Sequence, residues 1–186
     1  MTQNGNILSG SRYPWTAEIV GDDLVIRGQH ATWFGGSDDP LDDGQTASGI
    51  STKSNPNYLG CALPMDYGPT EKHNPCAGSP LPRLPWGTNV EFTNPDNGII
   101  EVGKLIDIGP SAPPVATAAA DLTQPLFKLL GGNLGVGRIN VDVRVIGGAK
   151  LCGLCGSPDP LQVATTAPPP PDSGLTVTPD YGIPIS

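Results

Sequence analysis

Residues 88–110, TNVEFTNPDNGIIEVGKLIDIGP, constrain the fold more than any other stretch. TNVEFTN alternates, with Val90 and Phe92 on one face and Asn89 and Glu91 on the other, as a half-buried strand does. PDNG is a turn signal. IIEVGKLIDIG is then the return strand. Strict alternation puts Ile100, Val102, Ile106 and Ile108 on one face with Lys104 among them, and Glu101, Leu105 and Asp107 on the other. A lone hairpin is barely stable in water, so further strands must cover this one.

The rest of the chain supplies them. LVIR and HATWF read as two short strands at 24–27 and 30–34, with Gly28 between. GRINVDVRVIGG reads as a last strand, with Val141, Val143 and Val145 on one face. DLTQPLFKLLGG is a short helix over about 123–131. Thr123 is its expected N-cap, Pro125 lies in the first turn, Gly131 or Gly132 ends it, and Leu126, Phe127, Leu129 and Leu130 form its apolar face. Gly 25 and Pro 22 among 186 residues imply many turns and long loops, and 37% hydrophobic content supports one modest core. The first 20 residues read as a polar arm. After Gly156, APPPPDSG and its surroundings form an extended, proline-rich tail.

A formal charge of −8 leaves no basic stripe for phosphates, so nucleic acid is excluded as an expected partner. No apolar stretch is long enough to span a membrane, so membrane insertion is excluded too. MTQNGNILSG lacks the basic start and apolar centre of a secretory signal. The reading is therefore synthesis in a cytoplasm, followed by a place in a virion or another extracellular assembly.

Four cysteines admit several readings. Cys152 and Cys155 in CGLCG have the spacing of a zinc knuckle, and they are the weak metal candidates. Cys61 and Cys76 are spaced too widely for an ordinary second ligand pair, though His73 could join them. A Cys61–Cys76 bridge and free thiols are the other readings. No cofactor is expected.

Five segments in order, GQHATWFGG, TASGIS, LPWGTNVEFTN, IDIGP and ADLTQPLFKLLGG, resemble the double-psi β-barrel of the rare lipoprotein A family, across about residues 28–147. Expansins and the barrel of MltA-type lytic transglycosylases are more distant relatives. The resemblance implies a mainly β fold. It would be a six-stranded double-psi barrel over residues 21–150 with one short helix, an arm at 1–20 and a tail at 151–186. It also implies a groove for peptidoglycan or another polysaccharide.

On that resemblance Asp107 stands where the family has its candidate general acid. Buried among apolar neighbours, such a carboxyl could protonate a glycosidic oxygen. Thr46 and Ser48 of TASG, Asp121, Trp33 and Trp86 are the matching candidates for substrate contact. Each has a plainer reading. Asp107 could accept N–H groups of the Gly-Pro turn, Asp121 could fix the start of the helix, and Trp33 could be core. The family pattern also departs here. Ile50 replaces its carboxylate, Lys53 stands where a second acid is expected, and the histidine expected before LPWGT has no clear match, His73 lying in an insertion. Asp38, Asp39, Asp42 and Asp43 crowd the preceding loop, where acidic residues ordinarily serve solvation.

Catalysis is therefore expected to be absent or very weak. The leading expectation is a structural or accessory protein of an extracellular assembly, a bacteriophage tail or capsid component. Its arm and tail would contact neighbouring subunits, and wall glycan would be a further partner. The alternatives are a lytic transglycosylase and a non-catalytic, expansin-like glycan-binding module.

Overall fold

The computed structural model describes residues 1–36, 39, 42–68, 74–111 and 117–151. The proline-rich tail, Cys152, Cys155, His73 and Asp38 lie outside them. The strands are β1 (Thr2–Asn4), β2 (Ile7–Ser9), β3 (Thr16–Val20), β4 (Asp23–Phe34), β5 (Gly60–Leu63), β6 (Met65–Asp66), β7 (Leu81–Pro82), β8 (Asn89–Thr93), β9 (Ile100–Ile108), β10 (Ala120–Thr123) and β11 (Ile139–Val145). The helices are α1 (Gln124–Leu129) and α2 (Gly148–Leu151).

Six strands close a barrel in the order β4-β10-β5-β9-β8-β11, and β11 pairs back onto β4. Two neighbouring pairs, β4 with β10 and β5 with β9, run parallel. Parallel neighbours cannot be joined by a tight hairpin, so the long loops are crossovers. This is the six-stranded, mainly β barrel expected from the sequence, with a second short helix added. Val90, Phe92, Leu105, Leu122, Val141, Val143 and Val145 fill its interior, all fully buried.

The two strands expected at 24–27 and 30–34 are one 12-residue strand. Its register against β11 slips between Val141 and Val143. Gly28 sits near that slip at φ +62°, and its N–H donates to Asp142 Oδ1 at 2.7 Å. A glycine that reads as a break is here the residue that lets one strand bend around a barrel.

The expected arm is not an arm. Residues 1–20 form β1–β3, which extend the sheet beyond β4. Leu8, Tyr13, Trp15 and Ala17 belong to the core. SRYPW carries two aromatics whose burial outweighs the polar look of the segment.

Thr123 stands at the N-cap of α1 as expected, but its side chain makes no capping hydrogen bond. Its Oγ1 donates to Tyr58 O at 2.7 Å and accepts from Gly60 N at 3.0 Å, tying β10 to the start of β5. The other helix end is held from the β8–β9 turn, where Asn94 and Asn97 side-chain amides both donate to Leu130 O. Leu129 is exposed rather than part of the apolar face.

The strict alternation expected for the return strand also fails. Ile100 and Val102 are 57% and 43% exposed, whereas Leu105 and Ile106, adjacent in sequence, are both fully buried. The cause is a register shift in β9: Cys61 pairs with Leu105, but Ala62 pairs with Asp107. Ile106 is the extra residue of a bulge.

Candidate functional site

The bulge decides where Asp107 points. In regular alternation it would share the inward face of Leu105. The shift instead sets it level with Ala62, whose other neighbour is Asp121, whose other neighbour in turn is Thr32. Residues in register share a face, so Thr32, Asp121, Ala62 and Asp107 form one row across β4, β10, β5 and β9. The two aspartates are two strand spacings apart, about 10 Å between backbones. Only the methyl of Ala62 stands between them.

Asp121 is held by the hydroxyl of Thr32, which donates to Oδ1. Burial first, then the nearby charge of Asp107, pushes its carboxyl up to about 6. Asp107 is also raised, by burial, against N–H donors that favour its charge; Asp42 and Asp43 add to the rise. Its Oδ1 accepts from Ile108 N at 2.8 Å and Ala47 N at 3.0 Å. The turn-acceptor reading thus holds in kind, but the donors are Ile108 and a distant loop. Each carboxyl group therefore holds its proton to a higher pH than an exposed aspartate does.

The TASG loop reaches Asp107 because the bulge frees a carbonyl for it: Ser48 N donates to Ile106 O at 3.0 Å. Thr46 Oγ1 donates to Ile50 O at 2.7 Å and lies 3.0 Å from Ser48 Oγ. These hydroxyls shape the loop and aim the Ala47 N–H at Asp107. Asp42 and Asp43 cap backbone N–H groups of the same loop, and Asp42 Oδ2 accepts from Thr52 Oγ1 at 3.3 Å.

Trp33 lies next to Leu122 in the ladder, and its Nε1 donates to Leu134 O, so it is a packing residue off the carboxylate row. Trp86 is 39% exposed in the turn before β8. The following Gly87 N donates to Leu105 O, two residues before Asp107.

Gly109 crosses over the pair at φ +153°; a Cβ there would lie 3.7 Å from Asp121 Oδ2. The next carbonyl, Pro110 O, accepts from Tyr13 OH at 2.9 Å and Cys76 Sγ at 3.4 Å, and Trp15 Nε1 donates to Thr117 O at 3.2 Å. The link between β2 and β3 therefore clamps both ends of the loop that leaves the site. Sequence reasoning missed this clamp. Its only signal is a pair of aromatics, Tyr13 and Trp15, just before the alternating TAEIV.

Cys61 and Cys76 are buried free thiols rather than a bridge. Burial raises both, Cys76 to about 11. Among the described residues no three His, Cys, Asp or Glu side chains converge as a metal site, and no helix is long and apolar enough to cross a membrane.

No family model matches the chain, and no curated protein sequence matches it. Among solved structures it is similar to the Streptomyces papain inhibitor, with 21% identity over 68% of this chain and 94% of the inhibitor, at a TM-score of 0.43. That likeness says nothing about what this chain binds.

Proposed function

We propose that the barrel cleaves a cell-wall-type glycan, with Asp107 and Asp121 as its working carboxyl pair. The supporting observation is their common row over Ala62, with both carboxyl groups raised. The resemblance to rare lipoprotein A barrels points to the same substrate class. Ile50 and Lys53 still depart from that family, but Asp121 supplies a second acid that a helix-fixing role does not explain.

In the proposed step the protonated carboxyl of the pair gives its proton to the glycosidic oxygen as the bond to the anomeric carbon breaks. The pair, now fully ionised, takes the proton from the hydroxymethyl oxygen of the same sugar as that oxygen bonds to the anomeric carbon. The products are a shortened chain and an anhydro sugar, and no water is consumed. Ala47 N–H and Thr32 hold the two carboxyl groups in place.

Peptidoglycan strands stripped of peptide should release anhydro-ended fragments detectable by mass spectrometry. Asp107→Asn and Asp121→Asn should each lower the rate by about 10²–10⁴-fold with circular dichroism unchanged. Absence of product from the unaltered protein would overturn the cleaving reading.

A second reading is the assembly role, as a subunit of a virion or other extracellular particle. Ile100 and Val102, exposed side by side along the outer face of β9, favour it. Self-association in sedimentation velocity that Val102→Lys abolishes is its expected signature; a strict monomer that coats no particle would speak against it.

A further inference from the structure

A cavity lies beside the carboxylate row and has no part in the chemistry proposed above. Its volume is about 590 Å³, and His30, Arg138, Asn140, Asp96, Asn94 and Asn97 help line it. His30 is two residues before Thr32 on β4 and so shares its face. Ile139 pairs with Ala31 and Asn140 with His30, so one further step of the antiparallel ladder brings Arg138 level with Thr32. The cavity is thus reached from Asp121 by one strand spacing to Thr32, about 5 Å, and two residues along β4, about 7 Å. A chain lying across the carboxyl pair runs into it.

Its chemistry is specific. Arg138 is exposed and has no hydrogen-bond or ion-pair partner among the described residues. Asp96 Oδ2 accepts from Asn140 at 2.9 Å, which leaves Oδ1 to accept a sugar hydroxyl. Burial, then the Arg138 charge, holds His30 below the usual imidazole range, so it is a neutral donor and acceptor. Asn94 and Asn97 already spend their amides on Leu130 O. A fork of N–H donors without a partner, in a chain of net charge −8, suits a planar carboxylate.

We infer that this cavity is a subsite for an acidic sugar, in which Arg138 takes the carboxylate substituent of the residue next to the bond being cut. The inference rests on the glycan reading and adds to it a preference for charged over neutral glycan. Wall strands with free lactyl carboxylates are therefore the better ligand, and the same strands with those groups amidated the poorer.

Calorimetric titrations of both strand forms test this, using Asp107→Asn protein so that the strands stay whole. The parent should hold the free-acid form about tenfold more tightly, and Arg138→Gln should remove that ratio by weakening only the acid form. Arg138 is exposed, so the variant should fold, and an unchanged melting temperature checks it. Equal affinity for the two forms, or a ratio that survives Arg138→Gln, overturns the subsite and leaves the glycan reading standing. If neither form binds the parent or the unaltered protein, the glycan reading fails and the subsite with it.

Discussion

Asp121 and Asp23 are both substantially buried aspartates, and the fold treats them in opposite ways. Asp23 is held below the usual range, mainly by the Gly147 N–H and also by Arg144; burial works against both. Its stabilisation is present above the unfolded carboxyl value and is lost as pH falls through the lower folded one. Asp121 is raised to about 6, so its folded form binds the proton more tightly than the unfolded chain does. That contribution is complete below about pH 4 and is lost as pH rises towards 6 and beyond. The loss is on the order of 2–3 kcal/mol. Urea unfolding at a series of pH values should show the decline, and Asp121→Asn should flatten it and be the more stable protein at pH 7. A decline unchanged in the variant would show that another group titrates. Asp107 was legible in the sequence as a carboxylate ending an apolar run. Asp121 was not legible as its partner, because they lie 14 positions apart in a chain whose pattern does not say that Ala62 will separate them. Thr46 and Ser48 were legible as a polar loop, but their engagement with Ile50 and the Ile106 carbonyl depends on tertiary pairing.

Among the elements, β8, β11 and α1 were legible because propensity, periodicity and punctuation agree there. The first three strands were not. β1 is exposed throughout, and the polar residues around Leu8 and Ala17 hide how few positions carry the burial. Trp15, 3% exposed, packs at about 5.2 Å edge-on to Tyr13 and also holds Thr117 O. Trp15→Ala should cost about 3–5 kcal/mol in chemical denaturation. A solvent-facing arm would lose almost nothing, so the size of the effect separates the two pictures. The milder Tyr13→Phe removes one donor to Pro110 O and should cost about 1 kcal/mol. β9 was half legible: its existence follows from alternation, but its bulge does not, since Leu105 and Ile106 look like any adjacent apolar pair.

At the scale of the molecule, the described core runs to Ala149 near the end of the described residues, with Leu24, Val145 and Ala149 in one cluster. A chain ending at residue 151 should therefore melt where the full chain does, and its two thiols, Cys61 and Cys76, should stay silent to a thiol reagent until it unfolds. A lower melting temperature, or reaction in the native state, would mean that the later residues complete the barrel. The closure of that barrel also has a consequence in time. β4 is the first barrel strand in the chain, yet both of its barrel partners, β10 and β11, are the last two barrel strands. The Asp23 carboxylate waits for residues 121 and 124 positions downstream. While the chain is being made, β4 can pair only with the small sheet before it, and its far edge has nothing to bind until β11 emerges. Such distant pairings slow folding to the millisecond-to-second range and make it nearly all-or-none. A nascent chain stopped before β11 should be open to protease along most of its length, and protection should arrive abruptly once residues 139–147 are free to dock.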